Sequence, residues 1–282
     1  MQLVYSIAEL RAAIDRARAA GQTIGLVPTM GYLHEGHLSL IRRARQENDL
    51  VVVSVFVNPT QFGPNEDLAA YPRDTERDTT MMRATGTDIA FFPTAEALYP
   101  QGYATYVQVE GPMTQTLCGR SRPSHFRGVT TIVAKLFHLV QPQHAYFGQK
   151  DAQQVAVIEQ MVRDLNFNLQ IVVCPIVREP DGLAMSSRNA YLTPSQRKDA
   201  CVISQALFEA RDKVTAGERR ASVISDLIRT RMDAVQDAQI DYISVVDAHT
   251  LSDLKTLTGE VLIAVAVKLG PTRLIDNLRL TV

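Results

Sequence analysis

The chain has 282 residues, of which 46% are hydrophobic and 21% charged, and its 29 basic and 30 acidic residues leave a net charge of −1. This balance is typical of a globular protein with one large or two modest domains, and it argues against nucleic acid or an anionic membrane surface as a general partner. No apolar run approaches the roughly 20 residues of a membrane span, and no leader-like segment opens the chain, so we expect a cytoplasmic protein. The three cysteines, Cys118, Cys174 and Cys201, are odd in number and widely separated, which indicates free thiols.

The first part of the chain alternates between strand and helix patterns, which indicates an α/β fold. The predicted elements are, in chain order, a helix over 7–19, a strand over 23–27, a helix starting near His37, a strand over 50–57, a helix from a cap at Asp74 to about Thr85, a strand over 88–92, a helix over 129–139, a strand over 144–147, a helix over 153–165 and a strand over 169–174. The β-branched run at 50–57 is typical of a strand buried on both faces, as in a parallel sheet. Residues 103–109 alternate and could form an edge strand or hairpin, and 111–117 resemble a short helix.

The last third predicts a smaller α+β unit, with Pro175 at the plausible edge of the first domain. Thr193, Pro194 and Gln196 form a capping-box sequence with proline at the first helical position. The predicted elements after it are a helix to about Ala216, a helix over 221–234, a strand over 241–246, an apolar run over 261–267 and an alternating segment over 272–280.

The stretch Pro28–His37 joins a predicted strand to a predicted helix through a loop with two glycines. A helix that begins near His37 leaves its first backbone N–H groups unpaired, and its dipole adds partial positive charge there, so the junction suits phosphate. His34 and His37 lie three residues apart and can face the same side, where their N–H groups can donate to phosphate oxygens. A histidine near a helix start is also common in proteins that bind no nucleotide, so the junction alone leaves both interpretations open.

Two further segments are rich in hydrogen-bond donors. Gly148–Asp151 follows a predicted strand, precedes a helix and contains Lys150. Such a lysine is usually exposed to solvent, but in a parallel sheet this junction would open into the same crevice as the first one. Met185–Asn189 is a polar loop with hydroxyls and a guanidinium. Gln61 comes just past a predicted strand, where ligands of open α/β sheets usually bind.

A basic loop, Arg120–Gly128, holds three arginines and a histidine before a predicted helix. Most charge runs are solvated surfaces. Because this one has a single sign and lies beside a glycine at a helix entrance, an anion-binding or interface role remains open.

Taken together, these segments resemble a known set of motifs. Met30–His37 is similar to the HIGH-type signature of the adenylyl-transferring superfamily that includes class I aminoacyl-tRNA synthetases, and Met185–Arg188 is similar to its flexible KMSKS-type loop. Five motifs spread over nearly the whole chain carry a second resemblance: Val27–Gly31, His125–Val129, Phe147–Asp151, Ser186–Asn189 and Leu274–Asn277. With these motifs, the chain resembles the pantoate–β-alanine ligase family.

The resemblance implies a Rossmann-like parallel-sheet domain over 1–176 that binds ATP and pantoate, and a smaller C-terminal α+β lid domain over 177–282. It implies a two-step ligation in which pantoate and ATP give pantoyl adenylate and pyrophosphate, and β-alanine then displaces AMP to form pantothenate. It also implies Mg²⁺ with the nucleotide, and a homodimer as the usual assembly.

The resemblance also implies a role for particular residues. The ATP-binding set is Met30, Gly31, Tyr32, Leu33, His34, Glu35, Gly36, His37, Gly148, Gln149, Lys150, Asp151, Val177, Met185, Ser186, Ser187 and Arg188. The catalytic subset is His34, His37, Lys150, Ser186 and Arg188. Gln61 and Gln154 would hold pantoate, Gln61 would also contact β-alanine, and Asp78 is the candidate magnesium ligand. The chain departs from the family at Gln149, where the family has a glutamate or a related residue.

Two other functions fit parts of this pattern. A nucleotidyltransferase of the same superfamily would need a cationic pocket for a second phosphate, for which Arg120–Arg127 is the candidate, and it would consume no amine. A non-catalytic nucleotide-binding module would keep the fold without the chemistry.

Overall fold

The computed structural model describes residues 1–64 and 66–282. The strands are β1 Gln2–Val4, β2 Ile24–Thr29, β3 Leu50–Val55, β4 Ile89–Phe91, β5 His144–Gly148, β6 Gln170–Cys174, β7 Ala238–Asp247, β8 Glu260–Leu269 and β9 Thr272–Thr281. The α-helices are α1 Ile7–Ala19, α2 Glu35–Glu47, α3 Thr75–Thr85, α4 Ala95–Leu98, α5 Cys118–Ser121, α6 His125–Val140, α7 Ala152–Asp164, α8 Pro194–Asp199, α9 Cys201–Thr215 and α10 Ala221–Asp233. Short 3-10 turns occupy Pro59–Gln61, Pro112–Thr114, Gln149–Asp151 and Ser187–Tyr191.

The chain folds into two compact units. The first unit comprises 1–109, 122–148 and 157–175, and the second comprises 110–121, 149–156 and 176–282. The predicted boundary at 176/177 differs from this division because two earlier segments, 110–121 and 149–156, group with the C-terminal residues. The domain assignment 1–176 and 177–282 stays a prediction.

The first unit is built on a six-stranded sheet in the order β1-β4-β3-β2-β5-β6, and every pair in it is parallel. The order reverses between β2 and β5, since the chain moves outward to β3 and β4 on one side and to β6 on the other. In open α/β sheets, ligands bind at the carboxyl ends of the strands beside such a switch point. The loop after β2 and the end of β5 at Gly148 lie at this place. The α/β prediction is therefore confirmed.

The central strands read as continuous apolar runs because both of their faces are covered, which is what the pattern at 50–57 indicated. Val51, Val52 and Val53 of β3 are all fully buried. Helix α2 packs Leu40, Ile41 and Ala44 into the same core. This packing fixes where the start of α2 lies relative to the end of β2.

The second unit contains an antiparallel sheet in the order β7-β8-β9. Alternate residues of β8, including Val261, Ile263 and Val265, pack against α9 and α10. Leu262 and Ala264 face the opposite way, into a smaller cluster with Leu117 and Ala156. The apolar run predicted at 261–267 is thus a strand covered on both faces.

Several local predictions are wrong. Helix α2 starts at Glu35 rather than near His37, and α6 starts at His125 rather than at 129. Residues 103–109 form neither a strand nor a hairpin; instead, the Val107 N–H donates to Thr131 Oγ1 at 3.0 Å. Residues 111–117 hold a 3-10 turn rather than a short α-helix. The helix predicted to run to Ala216 is divided at Ala200 into α8 and α9.

Three other features agree with the sequence predictions. The capping box of α8 is present, with Thr193 and Gln196 bonded reciprocally. All three cysteines are free thiols. Among the described residues, no helix combines the length and apolar character that a membrane crossing requires.

Candidate active site

The loop between β2 and α2 has a backbone that its sequence enforces. Gly31 has φ +85°, and a Cβ there would lie 3.0 Å from Val55 Cγ1 and 3.1 Å from Asp78 Oδ2. Both the left-handed conformation and the lack of space favour glycine. Thr29 Oγ1 accepts the Gly31 N–H at 3.2 Å, and Tyr32 also has a positive φ, +50°. The chain thus turns sharply at the carboxyl end of β2 and enters α2 directly.

Asp78 of α3 fixes this turn. Its Oδ2 accepts the Tyr32 N–H and its Oδ1 accepts the Leu33 N–H, both at 2.7 Å. The residue is 1% exposed, and burial raises the pKa of Asp78 while these two hydrogen bonds oppose the rise. A carboxylate whose two oxygens bind backbone amides is already satisfied within the protein, and this arrangement does not fit a magnesium ligand.

The two histidines form a reciprocal cap at the start of α2. His34 is the N-cap residue, and its Nδ1 accepts the Gly36 N–H at 3.2 Å. His37 Nδ1 accepts the His34 N–H at 3.3 Å, and the two ring centroids are 4.1 Å apart. In a neutral imidazole, the nitrogen that accepts an N–H carries no proton. Each neutral ring therefore holds its proton at Nε2.

This tautomer decides what the histidines can offer an anion. Nε2–H donors beside the N-terminal amides of α2 are the kind of groups that bind phosphate oxygens. A ring protonated on both nitrogens cannot accept the capping N–H, so the observed cap requires an Nδ1 without a proton. Glu35, which is exposed, pairs with Arg42.

Gln61 lies at the end of the 3-10 turn after β3 and is 8% exposed. Its Nε2 donates to Met30 Sδ at 3.2 Å, and its Oε1 accepts from Asn58 Nδ2 at 3.2 Å. Asn58 also donates to Gly128 O at 3.1 Å, where a Cβ on the glycine would lie 2.4 Å from Thr60 O. Asn58 thereby orients the Gln61 amide toward the β2 loop.

Two arginines of the basic loop, Arg122 and Arg127, make their contacts inside the first unit. Arg122 forms a two-pronged ion pair with Glu66, with Nε–Oε1 2.8 Å and Nη2–Oε2 2.5 Å. His125 Nδ1 lies 2.9 Å from the carbonyl oxygen of Gln61, and Arg127 stacks over the Tyr106 ring at 4.8 Å. These contacts support the backbone at Gln61 and leave little reason to assign this loop a second phosphate.

In the second unit, Gln149–Asp151 form a 3-10 turn that continues directly from β5. Lys150 Nζ lies 3.8 Å from Asp151 Oδ2, and its side chain is 21% exposed. Asn277 Nδ2 donates to the carbonyl oxygens of both Gln149 and Lys150 at 3.0 Å. The lysine thus extends from a backbone that a buried side chain holds.

The two glutamines that begin α7 have different surroundings. Gln153 is 6% exposed, accepts the Cys118 N–H at 2.9 Å, and donates to Met113 O and Thr116 O at 2.9 and 2.8 Å. It anchors the segment 110–121. Gln154, the predicted pantoate ligand, is half-buried.

The third predicted segment, Met185–Asn189, makes several backbone hydrogen bonds within the second unit. Met185 N–H donates to Val177 O at 3.0 Å, and Arg178 pairs with Ala184 across the same turn. Ser186 caps the 3-10 turn Ser187–Tyr191 by accepting the Arg188 N–H at 3.2 Å. Because the Ser186 oxygen acts there as an acceptor, its O–H can still donate.

Each unit thus brings part of the predicted set together. In the first unit, the residues from Met30 to His37 form one continuous loop and helix start, Gln61 contacts Met30, and Gly148 ends the neighbouring strand. In the second unit, Gln149 and Lys150 share the Asn277 contact. Within residues 1–64 and 66–282, no three His, Cys, Asp or Glu side chains are arranged to hold a metal ion.

Sequence reasoning missed the residues that hold the site in place. Asn58 and Asn277 were not assigned a role, and Asp78 was assigned a different one. Asn277 belongs to one of the motifs that carried the family resemblance, Leu274–Asn277, and that was the available signal. A buried asparagine inside a strand is uncommon, since strand interiors favour apolar and β-branched residues.

A parallel sheet with a strand–loop–helix junction at its switch point defines a class of α/β proteins that bind nucleotides at that crevice. The family model for pantoate-beta-alanine ligase matches residues 2–279. The chain therefore belongs to the pantoate–β-alanine ligase family, and it is an ATP-using ligase.

Individual relatives agree with this assignment. A pantothenate synthetase from Acetivibrio thermocellus is 57% identical over 98% of each chain. The crystal structure of the pantothenate synthetase of Thermus thermophilus is 50% identical, covers 99% of each chain and has a TM-score of 0.95. A second crystal structure is the pantoate-beta-alanine ligase of Francisella tularensis, in complex with beta-gamma ATP and beta-alanine. It is 34% identical, has a TM-score of 0.80, and the match covers 99% of this chain and 97% of that one.

Proposed function

We propose that the protein condenses pantoate with β-alanine in two steps, through a pantoyl adenylate. The observation that carries this proposal is the set of hydrogen-bond donors in each unit: the capped histidines in the first unit, and Lys150 with Ser186 and Arg188 in the second. The Francisella tularensis relative, which was crystallised with an ATP species and β-alanine, supports the same substrates here.

In the first step, a pantoate carboxylate oxygen attacks the α-phosphorus of ATP. The new O–P bond forms as the bond to the bridging oxygen breaks, and pyrophosphate leaves with the bond electrons. The substrate carboxylate is the nucleophile, so no nucleophilic side chain is required. The protein's task is to hold anions together and to stabilise charge on the α-phosphate and the leaving pyrophosphate.

The donor residues are better candidates for that task than the helix dipole. A dipole contributes about 0.3–1 kcal/mol. A preorganised donor in a dry site can contribute about 3–4 kcal/mol. We therefore assign His34, His37, Lys150, Ser186 and Arg188 to phosphate oxygens, with the histidines donating from Nε2. The remaining residues of the predicted ATP-binding set would shape the nucleotide pocket.

We assign pantoate to Gln61 and Gln154, and we keep Gln61 as a β-alanine contact. Neutral amides can bond the hydroxyls and carboxylate of pantoate without an ion pair that would weaken the carboxylate as a nucleophile. Asn58 and Met30 hold the Gln61 amide in one orientation, which is the preorganisation such a ligand needs.

In the second step, the β-alanine nitrogen attacks the acyl carbon of the adenylate. The C–N bond forms, the C–O bond to AMP breaks, and the amine proton goes to solvent. No carboxylate in the assigned set is placed as a base, so we infer that the neutral amine is delivered to an already activated acyl group.

Magnesium would neutralise charge on the ATP phosphates when it is bound. The arrangement around Asp78 does not fit a ligand role, so we infer that Mg²⁺ enters with the nucleotide and is held mainly by phosphate oxygens and water. We also propose a homodimer in the cytoplasm, with no nucleic acid or membrane partner.

The requirement for each substrate tests this function. With ATP, Mg²⁺ and pantoate alone, we expect pyrophosphate release limited to about one equivalent of enzyme, and AMP release only after β-alanine is added. A nucleotidyltransferase would show turnover without an amine, and a non-catalytic binding module would release no pyrophosphate. Either result would overturn the proposal.

A further inference from the structure

Strand β9 carries two adjacent buried polar residues, Asp276 and Asn277, each 2% exposed. The Asn277 side chain is fully engaged. Its Nδ2 donates to Gln149 O and to Lys150 O, both at 3.0 Å, and its Oδ1 accepts from Gln149 Nε2 at 3.3 Å. All these groups belong to the second unit. A buried amide with every hydrogen-bonding group satisfied specifies one local geometry.

That geometry restricts Lys150 in particular. The two carbonyl oxygens belong to the peptide planes on either side of the Lys150 Cα. Peptide groups are planar, so φ and ψ are the only soft backbone torsions at a residue. One rigid amide that holds both oxygens therefore limits φ and ψ of Lys150, and with them the direction of its Cα–Cβ bond. The restraint therefore acts on the lysine through its backbone.

Asp276 holds the neighbouring segment in a similar way. Its carboxylate accepts two hydrogen bonds from Arg178, at 2.6 and 3.0 Å, and one from the Asn277 N–H at 2.8 Å. Arg178 also donates to Gly182 O at 3.1 Å. This fixes the start of the turn that leads to Met185. Two consecutive residues of one strand therefore anchor both segments of this unit that are assigned to ATP.

We propose that Asn277 is a positioning residue for Lys150, and that its contribution to adenylation is made through the lysine. The proposal rests on the role of Lys150 in the proposed function. Asp276 helps to hold Asn277 in place, because it accepts the Asn277 N–H. It also binds Arg178 to strand β9.

A double-mutant cycle tests the proposal. The variants are Asn277→Ala, Lys150→Ala and the double variant, and the readout is pantoate-dependent pyrophosphate release, with thermal melting recorded for each. Coupling between residues that act as a unit is commonly large, so Asn277→Ala should lower the rate at least about fivefold in the wild-type background and less than about twofold in the Lys150→Ala background. Arg279→Ala is the matched control on the same strand, since it loses a half-exposed pair with Glu260 and an exposed contact with His249, neither of which involves Lys150. Its rate should match that of the wild type.

The possible outcomes separate the hypotheses. Equal factors in both backgrounds, or no loss in Asn277→Ala, would overturn the positioning role while leaving the proposed function intact. A wild-type protein that releases no pyrophosphate with pantoate would refute the proposed function and this role with it. If Asn277→Ala does not fold, Asn277→Ser, which is smaller and keeps one donor, replaces it in the cycle. It should show an intermediate loss that also shrinks when Lys150 is absent.

Discussion

The two glycine-containing junctions at the end of β2 and the end of β5 are stabilised in different ways. The histidine turn is held in part by its own neighbours: His34 and His37 cap each other across three residues, and Thr29 accepts from Gly31. The lysine turn is held by Asn277, which is 127 residues away from Lys150 in sequence. Distant residues also hold the first junction, since Asp78 on α3 accepts the Tyr32 and Leu33 N–H groups and Gln61 donates to Met30.

This difference shows that a functional turn can be recognised from sequence more easily than the residues that hold it. A local cap makes its geometry and its chemistry from the same few residues. At the lysine turn, the charge belongs to Lys150 and the backbone restraint to Asn277. These two residues can therefore be substituted independently. The substitutions below exploit that separation.

The largest effect is expected for Lys150→Ala. Loss of a preorganised donor should lower pyrophosphate release by at least about 10²-fold. The melting temperature should change little, because the contacts that the lysine side chain loses are a 3.8 Å pair with half-exposed Asp151 and an electrostatic attraction to the Asp276 carboxylate. Lys268→Ala, which removes the same charge from an exposed site on β8, is the control. Near-normal pyrophosphate release from Lys150→Ala would remove the lysine from the mechanism.

Substitution of His37 should lower turnover less than Lys150→Ala does, and it should also lower stability. His37→Ala loses both the donor and the cap, so turnover should fall by up to about 10²-fold and the unfolding free energy by about 1 kcal/mol. In His37→Asn, the side-chain oxygen can accept the His34 N–H and the amide can donate to phosphate, so both losses should be smaller.

The pH–rate profile of His37→Asn distinguishes donation from proton transfer. If His37 only donates hydrogen bonds, its substitution should remove no alkaline limb, although an acid limb that reflects loss of the cap on ring protonation can disappear. An imidazole-like alkaline limb that disappears in His37→Asn while the reaction still proceeds would show that His37 transfers a proton.

Ser186→Ala and Arg188→Ala should each lower turnover by at least about tenfold, in line with the loss of one donor to the phosphates. Stability should change less, because Ser186 and Arg188 are both only half-buried. Ser195→Ala, at the exposed start of α8, is the control for Ser186. A melting temperature that drops as far as activity does would instead mean that the segment is structural.

The smallest effect on chemistry is expected for Asp78→Asn. The amide can replace only one of the two acceptors, and an unsatisfied buried group costs about 1–3 kcal/mol of stability. The Mg²⁺ concentration that gives half-maximal activity should not change. A shift of that concentration by tenfold or more, with unchanged melting, would restore Asp78 as a metal ligand. Glu76→Gln, on the exposed side of the same helix, is the control.

Much of the fold could be predicted because its signals are local. Helix α1 matches its predicted bounds, and Asp74 and Gly86 cap α3 as expected. Strand β1 was not predicted because it has three residues and forms by pairing with β4, far along the chain. The start of α2 was misplaced because histidine is not a favoured N-cap residue, and only the imidazole contacts identify it as one.

The sequence predicts the candidate donor residues of the site better than it predicts the residues that orient them. The glycines, the histidines and the lysine can be recognised in the sequence, because their residue types and their positions at strand–helix junctions are both visible there. The orientation of Gln61 depends on Asn58, and that of Lys150 on Asn277. These contacts arise from strand order and β9 pairing, which no local pattern specifies.

The central claim is that pantoate is activated as an adenylate before the amine takes part. Exchange of labelled pyrophosphate into ATP, measured without β-alanine, tests it most directly. The account predicts exchange that requires pantoate and Mg²⁺ and that falls at least about 10²-fold in Lys150→Ala. Exchange that proceeds without pantoate, or that appears only when β-alanine is present, would contradict it.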